Sequence, residues 1–164
     1  MKPVLRRVWA PKGQHPRAAG HHRFRWLYLY AFVEPHRGEV VWFLFNTVNA
    51  KAVEAALASF ARTVGAGEAR IVVLVLDNAG WHVPPDLAVP GGVRLVFLPP
   101  YTPELQPAER LWPLTNEPIA NTSFATLGDL DAALAARCCQ LADQPATISR
   151  LTAFHWWPKP LPTN

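Results

Sequence analysis

The sequence of 164 residues holds only two cysteines, Cys138 and Cys139, and they are adjacent. An adjacent pair cannot staple distant loops, so no disulfide framework is available and a reducing, intracellular setting is expected. Long apolar runs are lacking too. No stretch reaches the ~18 consecutive apolar residues of a membrane span, and the N-terminus carries no apolar signal core, so no membrane partner is expected. A phosphate-cradling glycine loop and a Gly-x-Ser-x-Gly elbow are both missing, which argues against P-loop nucleotide chemistry and hydrolase-type nucleophilic catalysis. Acid is absent from the start of the chain, where the first carboxylate is Glu34.

What is present points to one globular domain, residues 1–164. Half the residues are hydrophobic, enough to build a real core rather than a disordered chain. The net charge is +4 and the pI about 9.4, a mild basic excess that suits a polyanion but also suits many other proteins. Residues 1–22 read as an irregular basic lead with a turn at Pro11-Lys12-Gly13. Residues 24–33 are aromatic and β-branched, a strand; 34–38 form a hairpin-type turn, and 39–45 (EVVWFLF) are the antiparallel partner.

Residues 49–64 then switch to a helical period, with Val53, Ala56, Leu57, Phe60 and Val64 on one stripe, Asn49 as N-cap and Gly65 at the left-handed C-terminal position. Residues 71–76 (IVVLVL) are continuously apolar, as in a strand buried on both faces, and 93–98 form a further strand stopped by Pro99-Pro100. A helix is expected over 104–112, with limits blurred by Pro107 and Pro113. Another should open at a Thr126/Asp129 capping box and run to about 142. The tail, 154–162, reads as an extended aromatic and proline-rich arm. This order of strands and helices is an α/β fold with mixed strand directions.

Asp77 ends the apolar run, so it belongs at the C-terminal edge of a central strand, where α/β proteins commonly bind ligands. A loop-capping aspartate, with Asn78-Ala79-Gly80 as its turn, is the plainer alternative. Glu109 opens a helical segment just after another strand. Alone, it reads as a solvated acid in a first helical turn. Together the two offer hard oxygen ligands from separate elements at one sheet edge, which is what Mg²⁺ requires; two such ions ~3.5–4 Å apart serve phosphodiester chemistry. His82, five residues after Asp77, is placed to orient a phosphate or a metal-bound water, or is an ordinary loop histidine. His21-His22 lack partners at zinc spacing. Arg6, Arg7, Lys12, Arg17, Arg23 and Arg25 form an aromatic-interleaved basic lead, suited to phosphate contacts or simply a solvated face.

The segments 76–82 (LDNAGWH) and 97–112 (FLPPYTPELQPAERLW) resemble two blocks of bacterial insertion-sequence transposases of the mariner-related DDE superfamily. The family pattern is Asp-Asn-x-x-x-His, then Leu-Pro-Pro-Tyr-Ser/Thr-Pro-x-Leu-Asn-Pro-Ile-Glu, then a tryptophan. Gln106 stands for the usual Asn and Ala108 for the usual Ile. Glu109 follows Asp77 by 32 positions, close to the family's separation. Residues 6–13 (RRVWAPKG) also resemble the family's segment after its first strand.

This resemblance implies an RNase H-like (retroviral-integrase-like) mixed sheet flanked by helices, and DNA cleavage and joining by in-line phosphoryl transfer with two Mg²⁺ or Mn²⁺ ions. Asp77 and Glu109 match the second and third catalytic and metal-binding acids, with Asn78 and His82 supporting. The family's first strand, its aspartate and its helix-turn-helix region have no counterpart in residues 1–164. Activity by this polypeptide alone is therefore expected to be slight, and either self-association or a strand from an upstream transposase fragment is expected. The implied partners are transposon-end and target DNA in the bacterial cytoplasm, at the nucleoid. The alternative is a catalytically inactive DNA-binding or assembly module. Another nuclease on the same fold fits the Pro-Pro-Tyr-Thr-Pro block less well.

Overall fold

The computed structural model describes residues 4–14, 26–80 and 86–158. It begins with a hairpin. Strand β1 (Tyr28–Glu34) pairs antiparallel with β2 (Glu39–Phe45), with Tyr28 opposite Phe45 and Glu34 opposite Glu39. The four-residue turn between them closes through Gly38, whose N–H donates to Glu34 O at 2.9 Å. Gly38 has φ 68, and a Cβ there would lie 1.9 Å from the Pro145 carbonyl oxygen. Only glycine fits, because the site demands both a left-handed backbone and a bare α-carbon.

Helix α1 (Ala50–Val64) follows for the reasons its sequence states. Asn49 Oδ1 accepts from Ala52 N at 2.9 Å, and Gly65 closes the helix with φ 66. Its stripe of Val53, Ala56, Leu57 and Phe60 is buried against Tyr30, Phe32, Val41 and Phe43 of the hairpin and against Val72, Leu74 and Leu95 beyond it. Phe32 stacks on Phe60 at 4.6 Å. Each such side chain contributes about 1.5–3 kcal/mol by leaving water.

The chain then enters β3 (Val72–Leu76), which pairs parallel with β4 (Val93–Phe97), Val72 opposite Val93 and Leu76 opposite Phe97. The expected strands thus form, but as two two-stranded sheets. β3 also departs from expectation. Ile71 is 54% and Val73 62% exposed, so the apolar run is buried on one face only. The helices that cover the opposite face of the hairpin do not extend over it.

The segment expected as one helix over 104–112 is instead two 3-10 turns, Pro103–Leu105 and Pro107–Leu111, leading into the short helix α2 (Trp112–Asn116). Proline explains the break: Pro107 and Pro113 each lack the N–H that a continuous α-helix would use there. A further 3-10 turn, Glu117–Ile119, leads on towards α3 (Leu127–Ala142). The capping box of α3 is present, with Asp129 N donating to Thr126 Oγ1 at 3.1 Å and Thr126 N to Asp129 Oδ2 at 2.9 Å.

Helix α4 (Pro145–Thr152) was not anticipated from sequence. Its Ile148 is fully buried with Leu111 and Leu141, against Ala31, Val33, Val40 and Trp42 of the hairpin. The hairpin therefore has α1 on one face and α3 and α4 on the other. Near the start of the chain, Val4 makes a parallel bridge to Ala120, and Arg6 N donates to Asn121 Oδ1 at 2.9 Å. Residues 4–6 are thus docked backbone rather than an irregular lead.

Candidate metal and nucleic-acid site

Asp77 is the first residue past β3, and it is exposed. Its Oδ1 accepts from Ala79 N at 3.2 Å, the local turn that the plainer reading of this residue foresaw. One oxygen is thus engaged by the turn while the position stays open to solvent. The next residue braces the strand ends. Asn78 Nδ2 donates to Leu98 O, while Leu98 N donates to Leu76 O at 2.8 Å. The amide therefore joins the exits of β3 and β4 and helps hold Asp77 in place.

Glu109 arrives from the other side. Its turn starts at Pro107, and Glu109 N donates to Gln106 O at 3.1 Å. Pro107, Ala108 and Leu111 are buried while Glu109 is only half-buried, so the core grips the turn by its apolar residues and leaves the carboxylate at the rim. A 3-10 segment has three residues per turn, which sets Ala108 and Leu111 on one side and Glu109 off it.

The two acids meet at two adjoining cavities. One, of about 270 Å³, is lined by Asp77 and Glu109 together with residues 28–33 of β1 and 73–76 of β3. The other, of about 440 Å³, is lined by the same two acids with Asn78, Pro99, Tyr101 and Gln106. Tyr101 at its rim has φ 60 and is 100% exposed. A bulky residue in the left-handed region is uncommon and worth a functional question. Thr102 Oγ1 donates to Pro99 O at 2.7 Å and steadies that turn.

The sequence offered no signal for Tyr30. Its hydroxyl is held above its ordinary value of 10.0, chiefly by burial and further by the neighbouring charges of Tyr28 and Asp77. Tyr30 therefore belongs electrostatically to the Asp77 site. Strand alternation put it on the α1 face, but nothing in the sequence showed which loop that face would meet. Gln106 lines both cavities; sequence reading treated it only as a departure from a family pattern.

The other expected residues divide. Arg6, Arg7 and Lys12 are exposed, and none of them lines either cavity. His82, Arg17, Arg23 and Arg25 lie outside the described residues. Among the described residues, no group of three His, Cys, Asp or Glu side chains is gathered as a metal site, and no helix is long and apolar enough to cross a membrane.

Comparison with known proteins bears on family and fold. The sequence model described as DDE superfamily endonuclease matches residues 1–131. An uncharacterized protein of Sinorhizobium fredii, y4pE/y4sA, is 34% identical over 132 residues, covering 80% of this chain and 96% of that protein. Among solved structures, the Mos1 strand transfer complex is similar with a TM-score of 0.56 at 16% identity. That likeness covers 94% of this chain, which spans only about half (52%) of the Mos1 chain. The shared architecture is the mixed α/β, RNase H-like fold. With its family model matched over most of its length, the chain belongs to the DDE superfamily endonucleases.

Proposed function

We propose that this chain is the catalytic-core domain of a DDE transposase, built for metal-dependent cleavage and transfer of DNA strands. The observation that carries the reading is the meeting of Asp77 and Glu109 at shared cavities between separate elements. The donor set suits the metal: two carboxylates, one exposed and one half-buried, provide hard oxygens and leave room for the waters that Mg²⁺ retains. Asp77 and Glu109 would hold Mg²⁺ or Mn²⁺, and the bound ions would polarise the phosphodiester and stabilise the leaving oxygen.

The chain's own residues supply position. Asn78 steadies the loop that carries Asp77, and the buried Pro107, Ala108 and Leu111 anchor the turn that carries Glu109. DNA is the proposed partner, at transposon ends and target, in the bacterial nucleoid, and the naming of the Mos1 structure as a strand transfer complex supports that reading. His82 is proposed to support the site from the same loop. The test is Mn²⁺-dependent DNA nicking by the chain and by Asp77→Asn. Whatever nicking exists should vanish in the variant. Nicking that survived in Asp77→Asn would refute the role.

A second reading, a non-catalytic DNA-binding or assembly module, draws support from the exposed Arg6, Arg7 and Lys12. It predicts metal-independent DNA affinity that falls steeply with salt.

A further inference from the structure

The turn that carries Glu109 is held from outside by the C-terminal segment. Arg110, the next residue, is exposed, and its guanidinium lies 5.4 Å from the centre of the Phe154 ring. An arginine stacked on an aromatic face is held in one orientation, while the N–H groups along its edge stay available. Arg37 and Arg137 are engaged by carboxylates, but Arg110 forms no ion pair among the described residues. Its fork is therefore preorganised, with its donors unspent.

Phe154 belongs to a cluster. Its ring packs on Trp156 at 5.1 Å, and Trp156 packs on Trp157 at 5.7 Å. A tight turn makes this possible: Trp157 N donates to Phe154 O at 2.9 Å. His36 Nε2 donates to Pro158 O at 2.7 Å and ties the end of the turn to the hairpin. Trp157 lines the 270 Å³ cavity together with Asp77 and Glu109. Trp156 does not line it and is 42% exposed. The cluster thus meets the acid site at both ends, through Arg110 beside Glu109 and through Trp157. It also lies beyond the residues that the family model matches.

We propose that Arg110 and Trp156 form a binding surface for a single DNA strand passing the acid site, with Arg110 holding a backbone phosphate and Trp156 stacking on an unpaired base. Phosphate answers the fork, whose paired donors match two of its oxygens. A base answers the ring, because every base has a π-face and such stacking tolerates any sequence. Bases inside a duplex are already stacked on one another, so the surface favours an unpaired strand. Phe154 is the positioning residue, since it acts through Arg110. The surface's service to the reacting phosphate rests on the function proposed for Asp77 and Glu109; its grip on a strand does not.

The probe is a fluorescent oligonucleotide of twelve thymidines, with a twelve-base-pair duplex as control. Both are bound to the intact chain in EDTA, so that no metal takes part. Trp156→Ala should weaken single-strand binding about fivefold or more and leave duplex binding within about twofold. Arg110→Gln should reduce the single-strand salt slope by about 0.7, the share of one phosphate contact. Arg110→Lys should keep the slope without recovering the parent affinity, because an ammonium lacks the planar fork. Urea unfolding confirms that each variant is folded. Unchanged single-strand affinity in Trp156→Ala, an unchanged slope in Arg110→Gln, or full recovery in Arg110→Lys overturns the proposal. So does a parent chain that does not bind the oligonucleotide. A dimer that Trp156→Ala dissociates overturns it too, since a second copy would then cover the turn. Asp77→Asn should bind the strand as the parent does. Strand binding that persists while the Mn²⁺-dependent nicking test fails would leave the surface standing and remove the metal reading; the reverse result would do the opposite.

Discussion

Gly38→Ala should be among the most damaging single-methyl changes in this protein. Gly38 sits at φ 68, so any Cβ carries left-handed strain of about 1 kcal/mol. The added carbon would also lie 1.9 Å from Pro145 O and 2.8 Å from Ser149 N, both backbone atoms of α4 that cannot rotate away. Forcing α4 off the hairpin adds an overpacking cost of about 1–3 kcal/mol. The sum is about 2–4 kcal/mol, a large share of the ~5–15 kcal/mol that holds a typical domain together. Gly65→Ala is the matched control, since its φ is 66 but nothing lies within 4 Å of the new Cβ. It should lose only the strain, about 1 kcal/mol.

Urea unfolding of the wild type and both variants measures the difference directly. A Gly38→Ala loss no greater than that of Gly65→Ala would refute the contact argument and the docking of α4 on the hairpin turn. The effect should also reach the site. α4 packs through Ile148 on Leu111, in the same 3-10 turn as Glu109, so loosening α4 should weaken any divalent-ion binding.

Other outcomes follow from the same structure. Leu57→Ala, at a fully buried position of α1, should cost about 2–5 kcal/mol in urea unfolding. Cys139 is exposed and should react with a disulfide reagent at pH 8 in the folded protein, while Cys138, buried and pushed up to about 11 chiefly by that burial, should not. Because folding raises the Cys138 value above its ordinary 9.0, its contribution to stability is complete below pH 9 and lost as pH rises from 9 through 11; a Cys138→Ala variant should lack that part of the alkaline decline. Replacing Arg6, Arg7 and Lys12 together by alanine should flatten the salt dependence of DNA affinity by up to about three counterions if the basic lead touches phosphate. An unchanged slope would remove these residues from the interface.

Much of the fold was legible because local chemistry and tertiary packing agreed. Asn49 and Gly65 bracket α1 in sequence and in structure, and the Thr126/Asp129 box opens α3 as read. β2 matches its expected residues because alternation and a turn flank it. Where the reading failed, a competing effect prevailed. Prolines divided the segment after β4 into 3-10 turns. α4 was missed because a short helix with Ile148 and Thr152 as its buried residues shows too little periodicity to stand out. The apolar run of β3 suggested burial on both faces, yet Val73 is exposed; composition cannot say which face the rest of the molecule covers.

The site divides in the same way. Asp77 was legible as the polar end of an apolar strand, and Glu109 only as its partner. Tyr30 was not legible, because its relation to Asp77 depends on where two half-sheets meet.

The central claim is that Asp77 and Glu109 act together on one divalent ion. Electron paramagnetic resonance titration of Mn²⁺ into the chain and into Asp77→Asn and Glu109→Gln tests it most directly. The account predicts a weak site in the parent chain, lost equally in the two variants while their folding stability is unchanged. Mn²⁺ binding that persists in either variant, or that is absent from the parent chain, would contradict it.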